Sequence, residues 1–193
     1  MKTLVVFDVD DTIFHIDVPL KVLDDDGNVI QTMRGQEVYA LSNEQIESMK
    51  FCMLDYACSE TFYNTSKPIP GMVELVQKSL QGDDDVLFIT ARHGIDNRSR
   101  YIEKFHDHDM LIHDHQIHFV GRWRPDRRTK TSASDDKRVK FEEIMQSQLY
   151  DHITIYDDST KNLDALWEIS LDYPVSISLF HVSKEGMPNL YFL

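Results

Sequence analysis

The sequence predicts an α/β fold, a parallel sheet flanked by helices, and three observations predict it. Short β-rich apolar runs alternate with helical patterns along most of the 193 residues. Three of those runs end in carboxylates or hydroxyls: DVDDT at 8–12, FITAR at 88–92 and IYDDS at 155–159. In open α/β sheets the carboxyl ends of strands are where sites form, so these endings and the fold class support each other. Finally, a chain of 193 residues can bury a real core and is expected to form one domain spanning 1–193.

The elements follow in order. The first strand is expected at 4–9, and further strands at 86–90, 117–120, 153–156 and 175–180. Helices are expected at 71–80, 96–105, 135–149 and 161–169. In the third helix Ser134 reads as the N-cap, and Phe141, Ile144, Met145 and Leu149 recur at helical spacing. The first strand is not followed directly by its helix, because residues 15–67 intervene. Within them LKVLDDDGNVIQTM reads as a β-hairpin with Asp-Gly at the turn, followed by a partly helical stretch. This segment is expected to be an insertion over the end of the first strand, with SKPIPG marking the return. Phe51, Tyr56, Phe62 and Tyr63 within it suit either stacking on a base or packing in the insertion's own core.

Composition narrows the function classes. With 41% apolar residues, 27% charged residues and a formal net charge of −13, the chain is an ordinary globular composition without general attraction for nucleic acid or anionic membranes. No apolar run approaches the ~20 residues of a membrane span. The start, MKTLVVFDVDDT, has carboxylates where a secretory signal would carry small residues. Cys52 and Cys58 suggest no disulfide framework, so a reducing cytoplasm is the expected location. Residues 105–119 hold many of the histidines but place no pair convincingly on one rigid element, so a solvated connection is expected there rather than a metal site.

The carboxylates carry the chemistry. Asp8, Asp10 and Asp11 at one strand end and Asp157 and Asp158 at another would repel one another unless a hard cation such as Mg²⁺, which takes oxygen ligands and bridges to phosphate, joins them. An aspartate beside such a cation can attack phosphorus, and one two residues further on can move the proton of the leaving oxygen and then of water. A hydroxyl and a lysine stabilise the charge on the equatorial oxygens.

FDVDDTIF, FITAR, a lysine at a helix start and YDDS, in that chain order, resemble the four motifs of the haloacid dehalogenase (HAD) superfamily of phosphotransferases. They span residues 8–158, most of the chain. The resemblance implies a Rossmann-like fold with a small cap inserted after the first strand, matched here by residues 15–67. It implies Asp8 as nucleophile, Asp10 as acid/base and, through its backbone carbonyl, as metal ligand, and Thr90 as a phosphoryl-binding hydroxyl. Lys137 would be the motif lysine, with Lys140 as the alternative; Asp158 would hold Mg²⁺ with Asp8, and Asp157 would assist. Asn162, four beyond Asp158, stands where a carboxylate of the outer shell is found in relatives. Receiver domains also combine aspartates, a threonine and a lysine, but there the lysine follows the acidic groups in another order.

The implied activity is Mg²⁺-dependent phosphomonoester hydrolysis. An arginine just past the second motif, Arg92, and the DD pair also resemble the phosphatase module of phage-type polynucleotide kinase/phosphatases. The stretch GRWRPDRRTKTSAS brings Arg122, Arg124 and Trp123 together, which suits a phosphate backbone and a stacked base, or equally a solvated loop balancing an acidic surface. No GxxxxGK[ST] phosphate loop is present, so no kinase half is expected. The expected partner is therefore a phosphomonoester, a nucleic-acid 3′-phosphate end or a nucleotide, without a membrane or an obligate protein partner. Alternatives are a nucleoside monophosphatase, a phosphotransferase and a non-catalytic phosphate-binding module.

Overall fold

The computed structural model describes residues 2–34, 37, 41–52, 54–121 and 133–192. In chain order the elements are β1 (Thr3–Phe7), β2 (Phe14–His15), β3 (Leu20–Leu23), β4 (Val29–Met33), α1 (Asn43–Ser48) and β5 (Lys50–Cys52). There follow α2 (Ser59–Thr65), β6 (Lys67–Pro68), α3 (Pro70–Gln81), β7 (Asp85–Thr90), α4 (Arg98–His106) and β8 (Ile117–Phe119). The chain closes with α5 (Ala133–Gln146), β9 (His152–Asp157), α6 (Thr160–Ser170), β10 (Ser176–Val182) and β11 (Pro188–Phe192).

The central sheet runs β11-β10-β9-β1-β7-β8, parallel except for β11. From β1 the chain moves outward through β7 and β8, then returns to the other side of β1 for β9 and β10. The order therefore reverses between β1 and β9, and a crevice opens beyond their carboxyl ends. Alternation along β1 builds both layers: Val5, Phe7 and Val9 face Met72 and Val76 of α3 and Tyr101 and Phe105 of α4. Leu4 and Val6 face Phe141, Ile144 and Met145 of α5 and Leu163, Leu166 and Ile169 of α6. Each such side chain, buried in full, contributes roughly 1.5–3 kcal/mol.

Both ends of the segment 15–67 are pinned, because β2 pairs antiparallel with β6 through Phe14↔Pro68 and His15↔Lys67. Inside it β4, β3 and β5 form a small antiparallel sheet, with the Asp-Gly turn between β3 and β4 and Gly27 at φ 87°. The second part of the segment packs into the main core. Phe62 of α2 is fully buried, stacks on Tyr101 at 4.2 Å and meets Phe14 edge-on at 5.5 Å. Ser59 N–H donates to Asp96 Oδ1 at 2.7 Å and Asp96 N–H to Ala57 O at 2.9 Å, fastening α2 to the start of α4.

Several boundaries differ from the sequence expectation. The third predicted helix begins at Ala133, so Ser134 lies inside its first turn rather than capping it. It ends at Gln146: Ser147 Oγ donates to Ile144 O at 2.6 Å, Gln148 turns to φ 52°, and Leu149 swings out to 59% exposure. A last antiparallel strand, β11, is absent from the sequence expectation. Its turn from β10 is closed by Gly186 N–H to Ser183 O at 2.8 Å, and Gly186 at φ 75° approaches Ile69 so closely that a Cβ would sit 2.0 Å from Ile69 Cγ2. Among the described residues no helix is long and apolar enough to cross a membrane.

Candidate active site

The end of β1 makes the centre of the crevice. Asp8, only 5% exposed, extends the β1–β9 ladder by donating its N–H to Tyr156 O at 2.9 Å. Its Oδ1 accepts from Lys137 Nζ at 2.6 Å and its Oδ2 from Thr12 Oγ1 at 3.1 Å. Lys137 Nζ also donates to Asp157 Oδ2 at 2.6 Å. Thr12 does more than close the turn, since its Oγ1 also accepts from Asp158 N–H at 3.1 Å and so ties the two strand ends together. Asp11, at φ 58°, turns the chain: its N–H donates to Phe14 O at 2.8 Å and its Oδ1 accepts from Ile16 N–H at 3.1 Å.

Asp157 lies behind the cluster, 2% exposed and held from several sides. Asn162 Nδ2 donates to both of its oxygens at 2.9 and 3.1 Å, and Ser159 N–H donates to Oδ1 at 2.9 Å. Ser159 is also the N-cap of α6, so the same turn starts the helix and orients the carboxylate. Asp158 lines the open cavity instead. Ligand oxygens of Asp8, Asp157 and Asp158 all lie within 4.8 Å of one another, the one such group among the described residues that could hold a metal.

Charge explains why this group is competent for a cation. Burial pushes the Asp8 carboxyl well above the ordinary range, and only Lys137 opposes that against Asp157, Asp158 and Asp10. Burial, then Asp157, pushes Asp158 up to about 7. Burial disfavours the Lys137 ammonium, but Asp157 and Asp8 more than offset this and hold it above the usual lysine range. One ammonium thus faces three carboxylates, and the remaining two negative charges match one divalent ion. The donor set is all oxygen, which suits a hard cation.

Asp10 sits two residues on, gripped from the β7 side. Thr90 Oγ1 donates to its Oδ2 at 2.9 Å; Arg92 Nε donates to both oxygens at 3.0 Å and Nη2 to Oδ1 at 2.7 Å. Arg92 is 4% exposed, its guanidinium lies 4.8 Å from the Tyr56 ring centroid and 5.0 Å from that of Phe62, and its Nη1 donates to the Tyr56 carbonyl. The segment bearing Thr90 and Arg92 is held by β8's exit: Val120 N–H donates to Thr90 O and Gly121 N–H to Arg92 O, both at 3.0 Å. Only glycine permits that approach, since a Cβ on Gly121 would stand 2.0 Å from Ala91 O.

Among the sequence-predicted residues, Asp8, Asp157, Asp158 and Lys137 come together, with Asp10, Thr90 and Arg92 beside them. Lys140 points elsewhere, pairing with Glu143 at 3.0 Å. Arg92 lines the cavity, but its Nε, Nη1 and Nη2 donors are directed at Asp10 and Tyr56 rather than into open space. Arg122, Trp123 and Arg124 lie outside the described residues. Of the insertion aromatics, Phe62 belongs to the core, Tyr56 lines the cavity, and Tyr63 lies under Arg100 at 3.3 Å while its hydroxyl donates to Asp107. Of the histidines of 106–118, His106 Nε2 is 3.0 Å from Ile112 O and His113 caps a short turn.

The cavity, about 1350 Å³, also includes Lys67, Lys161, His181 and Lys184, which sequence reasoning passed over. The signal was available, because Lys161 stands two residues past the YDDS motif and HVSK runs off the carboxyl end of the last parallel strand.

Sheet order and site together define a parallel α/β protein with an acidic, metal-competent centre at its topological switch point. Among solved structures the chain is similar to the HAD domain of effector protein Lem4 from Legionella pneumophila, at 14% identity and a TM-score of 0.46 over 93% of this chain and 85% of that one. An inactive mutant of the same domain aligns at 14% identity and 0.48, over 96% of this chain and 87% of that one. No protein-family model matches the sequence, and no curated protein does.

Proposed function

We propose that this protein is a Mg²⁺-dependent phosphomonoesterase of the HAD type, working through an aspartyl-phosphate on Asp8. The observation that carries the reading is the buried Asp8–Lys137–Asp157 chain with Asp158 alongside and Asp10 two residues on, all at the switch-point crevice. Asp8, Asp158 and the Asp10 backbone carbonyl would hold the cation, with Asp157 behind them. Bound there, Mg²⁺ supplies positive charge for the phosphoryl oxygens and for the crowded carboxylates.

The chain's own groups supply the rest. An Asp8 oxygen forms a bond to phosphorus as the bond from phosphorus to the alcohol oxygen breaks, and Asp10 protonates that leaving oxygen. Asp10 then takes a proton from water as the water oxygen attacks the aspartyl-phosphate, which frees inorganic phosphate and the Asp8 carboxylate. Lys137 orients Asp8 and balances its charge, while Thr90, whose one hydroxyl proton goes to Asp10, fixes that carboxylate together with Arg92. Arg92 thereby acts on the reaction through Asp10.

For substrate we propose a nucleic-acid 3′-phosphate end. A cavity of about 1350 Å³ exceeds the roughly 300–1,000 Å³ typical of small-molecule sites and favours something larger than a mononucleotide. The test is phosphate release from 3′-phosphorylated oligonucleotides against 3′- and 5′-mononucleotides, with and without Mg²⁺. Preference for mononucleotides by orders of magnitude would make it a nucleotidase, and no release from any monoester would end the phosphatase reading.

The acidic cluster also predicts a pH-dependent response to the cation. Asp158 is protonated below about 7 in the metal-free protein, whereas its unfolded value is ordinary. A raised folded value means stability present at low pH and lost as pH climbs through about 7. Metal-free protein should therefore melt at a lower temperature at pH 8 than at pH 5.5. Added Mg²⁺ should raise the melting temperature at pH 8 far more than at pH 5.5, where protons compete for the same oxygens. Equal Mg²⁺ effects at both values in thermal melts would count against the site.

A further inference from the structure

We infer that the β9–β10 side of the cavity is a subsite for a second phosphate on the same substrate, held by Lys161 and Lys184. The inference rests on the phosphatase reading and refines its substrate class to molecules carrying two phosphate groups.

The cavity's cations divide into committed and uncommitted. Lys137 is used by Asp8 and Asp157, Arg92 by Asp10, and Arg34 by Asp17. Lys67, Lys161 and Lys184 line the same cavity, and among the described residues none makes an ion pair with a carboxylate of another element; Lys184 acts only on its chain neighbour Glu185, and Lys67 belongs to β6 rather than to the β9–β10 side. In a chain with 33 acidic and 20 basic side chains, partners for lysine are plentiful, so two cavity-lining lysines that follow neighbouring strands without a carboxylate from another element point to an anion from outside.

Their positions are set by the fold. Lys161 stands in the first turn of α6, three residues past Asp158. Lys184 stands in the β10–β11 turn, which Gly186 seats against Ile69 and which Ser183 N–H to Met187 O closes at 3.0 Å. His181, the partner of Asp157 across the β9–β10 ladder, brings Nε2 to 3.0 Å from the Asp158 carbonyl and locks the end of β10 to the proposed metal ligand. Lys161 follows β9 and Lys184 follows β10, and these two strands are neighbours on the side of β1 away from β7. Lysine suits this task as a mobile point charge for a phosphate whose exact approach varies with the substrate.

The shared chemistry is a second phosphate, from either a free nucleoside bisphosphate or the next phosphodiester of a chain end. Steady-state kinetics on wild type and the Lys161→Ala/Lys184→Ala double variant would use p-nitrophenyl phosphate, adenosine 3′,5′-bisphosphate and a 3′-phosphorylated dinucleotide. The expected result is a KM increase at least tenfold larger for the two-phosphate substrates than for p-nitrophenyl phosphate, with kcat moving less than KM. Whichever of the bisphosphate and the dinucleotide is affected more identifies the source. An equal change for all three substrates, or none, would overturn the subsite. Calorimetric binding of the bisphosphate to Asp8→Asn protein, with and without the two lysines, reads the subsite without turnover. Lysine-dependent binding there would uphold the subsite even if no monoester is hydrolysed, and lysine-independent binding would overturn it even if hydrolysis is robust.

Discussion

Asp8→Asn lowers kcat by at least ~10⁴-fold toward any monoester the wild-type protein hydrolyses, because an amide oxygen does not displace an alkoxide from phosphorus. The substitution is close to isosteric, and Asn can still accept from Lys137 through its carbonyl oxygen. It also removes one negative charge from a cluster in which burial already pushes Asp8 and Asp158 upward. The variant should therefore fold, and without a divalent ion it should melt at or above the wild-type temperature. Phosphate release and thermal melts on the same preparation separate lost chemistry from lost structure. Turnover within tenfold of wild type would remove Asp8 from the nucleophile's role.

Lys137→Met destabilises the protein by about 3–5 kcal/mol at pH 8, the range for breaking a buried ion pair by removing one partner. Lys137 is 2% exposed, and its ammonium is 2.6 Å from both Asp8 and Asp157, so methionine fills the space but leaves buried carboxylates uncompensated. The deficit should shrink at pH 5.5. Without Lys137 the cluster's carboxyls rise further, and groups raised in the folded state give their stability at low pH and lose it as pH rises. Urea unfolding at the two pH values measures this, and a pH-independent loss would mean that packing, not charge, is what Lys137 contributes. Lys140→Met is the control: its partner Glu143 lies three residues on and 60% exposed, so the change should stay within ~0.5 kcal/mol.

The choice between those lysines shows where sequence reasoning reaches and where it stops. Both precede the fourth parallel strand, and both suit a helix. The spacing of Phe141 and Ile144 from Lys137 favoured that residue because a helix that buries those positions turns the preceding one toward the sheet, and the structure has this arrangement. Leu149 fails the same reasoning. Its period is right, but the helix unwinds after Gln146, and periodicity carries no information once the backbone leaves the α region. The strand β11 was equally hard to read, since an antiparallel edge strand after a short turn is decided by pairing with β10.

Arg92 makes the same point about the site. In sequence it is a cation beside a phosphate motif, and a substrate contact is the direct reading. Its partners, Asp10 and the Tyr56 carbonyl, lie 82 and 36 residues away, and nothing local announces them.

By itself, then, the sequence marked where the carboxylates collect. Apolar runs that end in carboxylates define parallel strands and the ends at which charge collects, because both properties are local. The tertiary structure alone decided how that charge is shared. Which lysine neutralises Asp8, which carboxylate faces the cavity and which arginine grips Asp10 all depend on contacts between segments distant in the chain. Such contacts are set by sheet order and helix packing, and no single stretch of sequence encodes them.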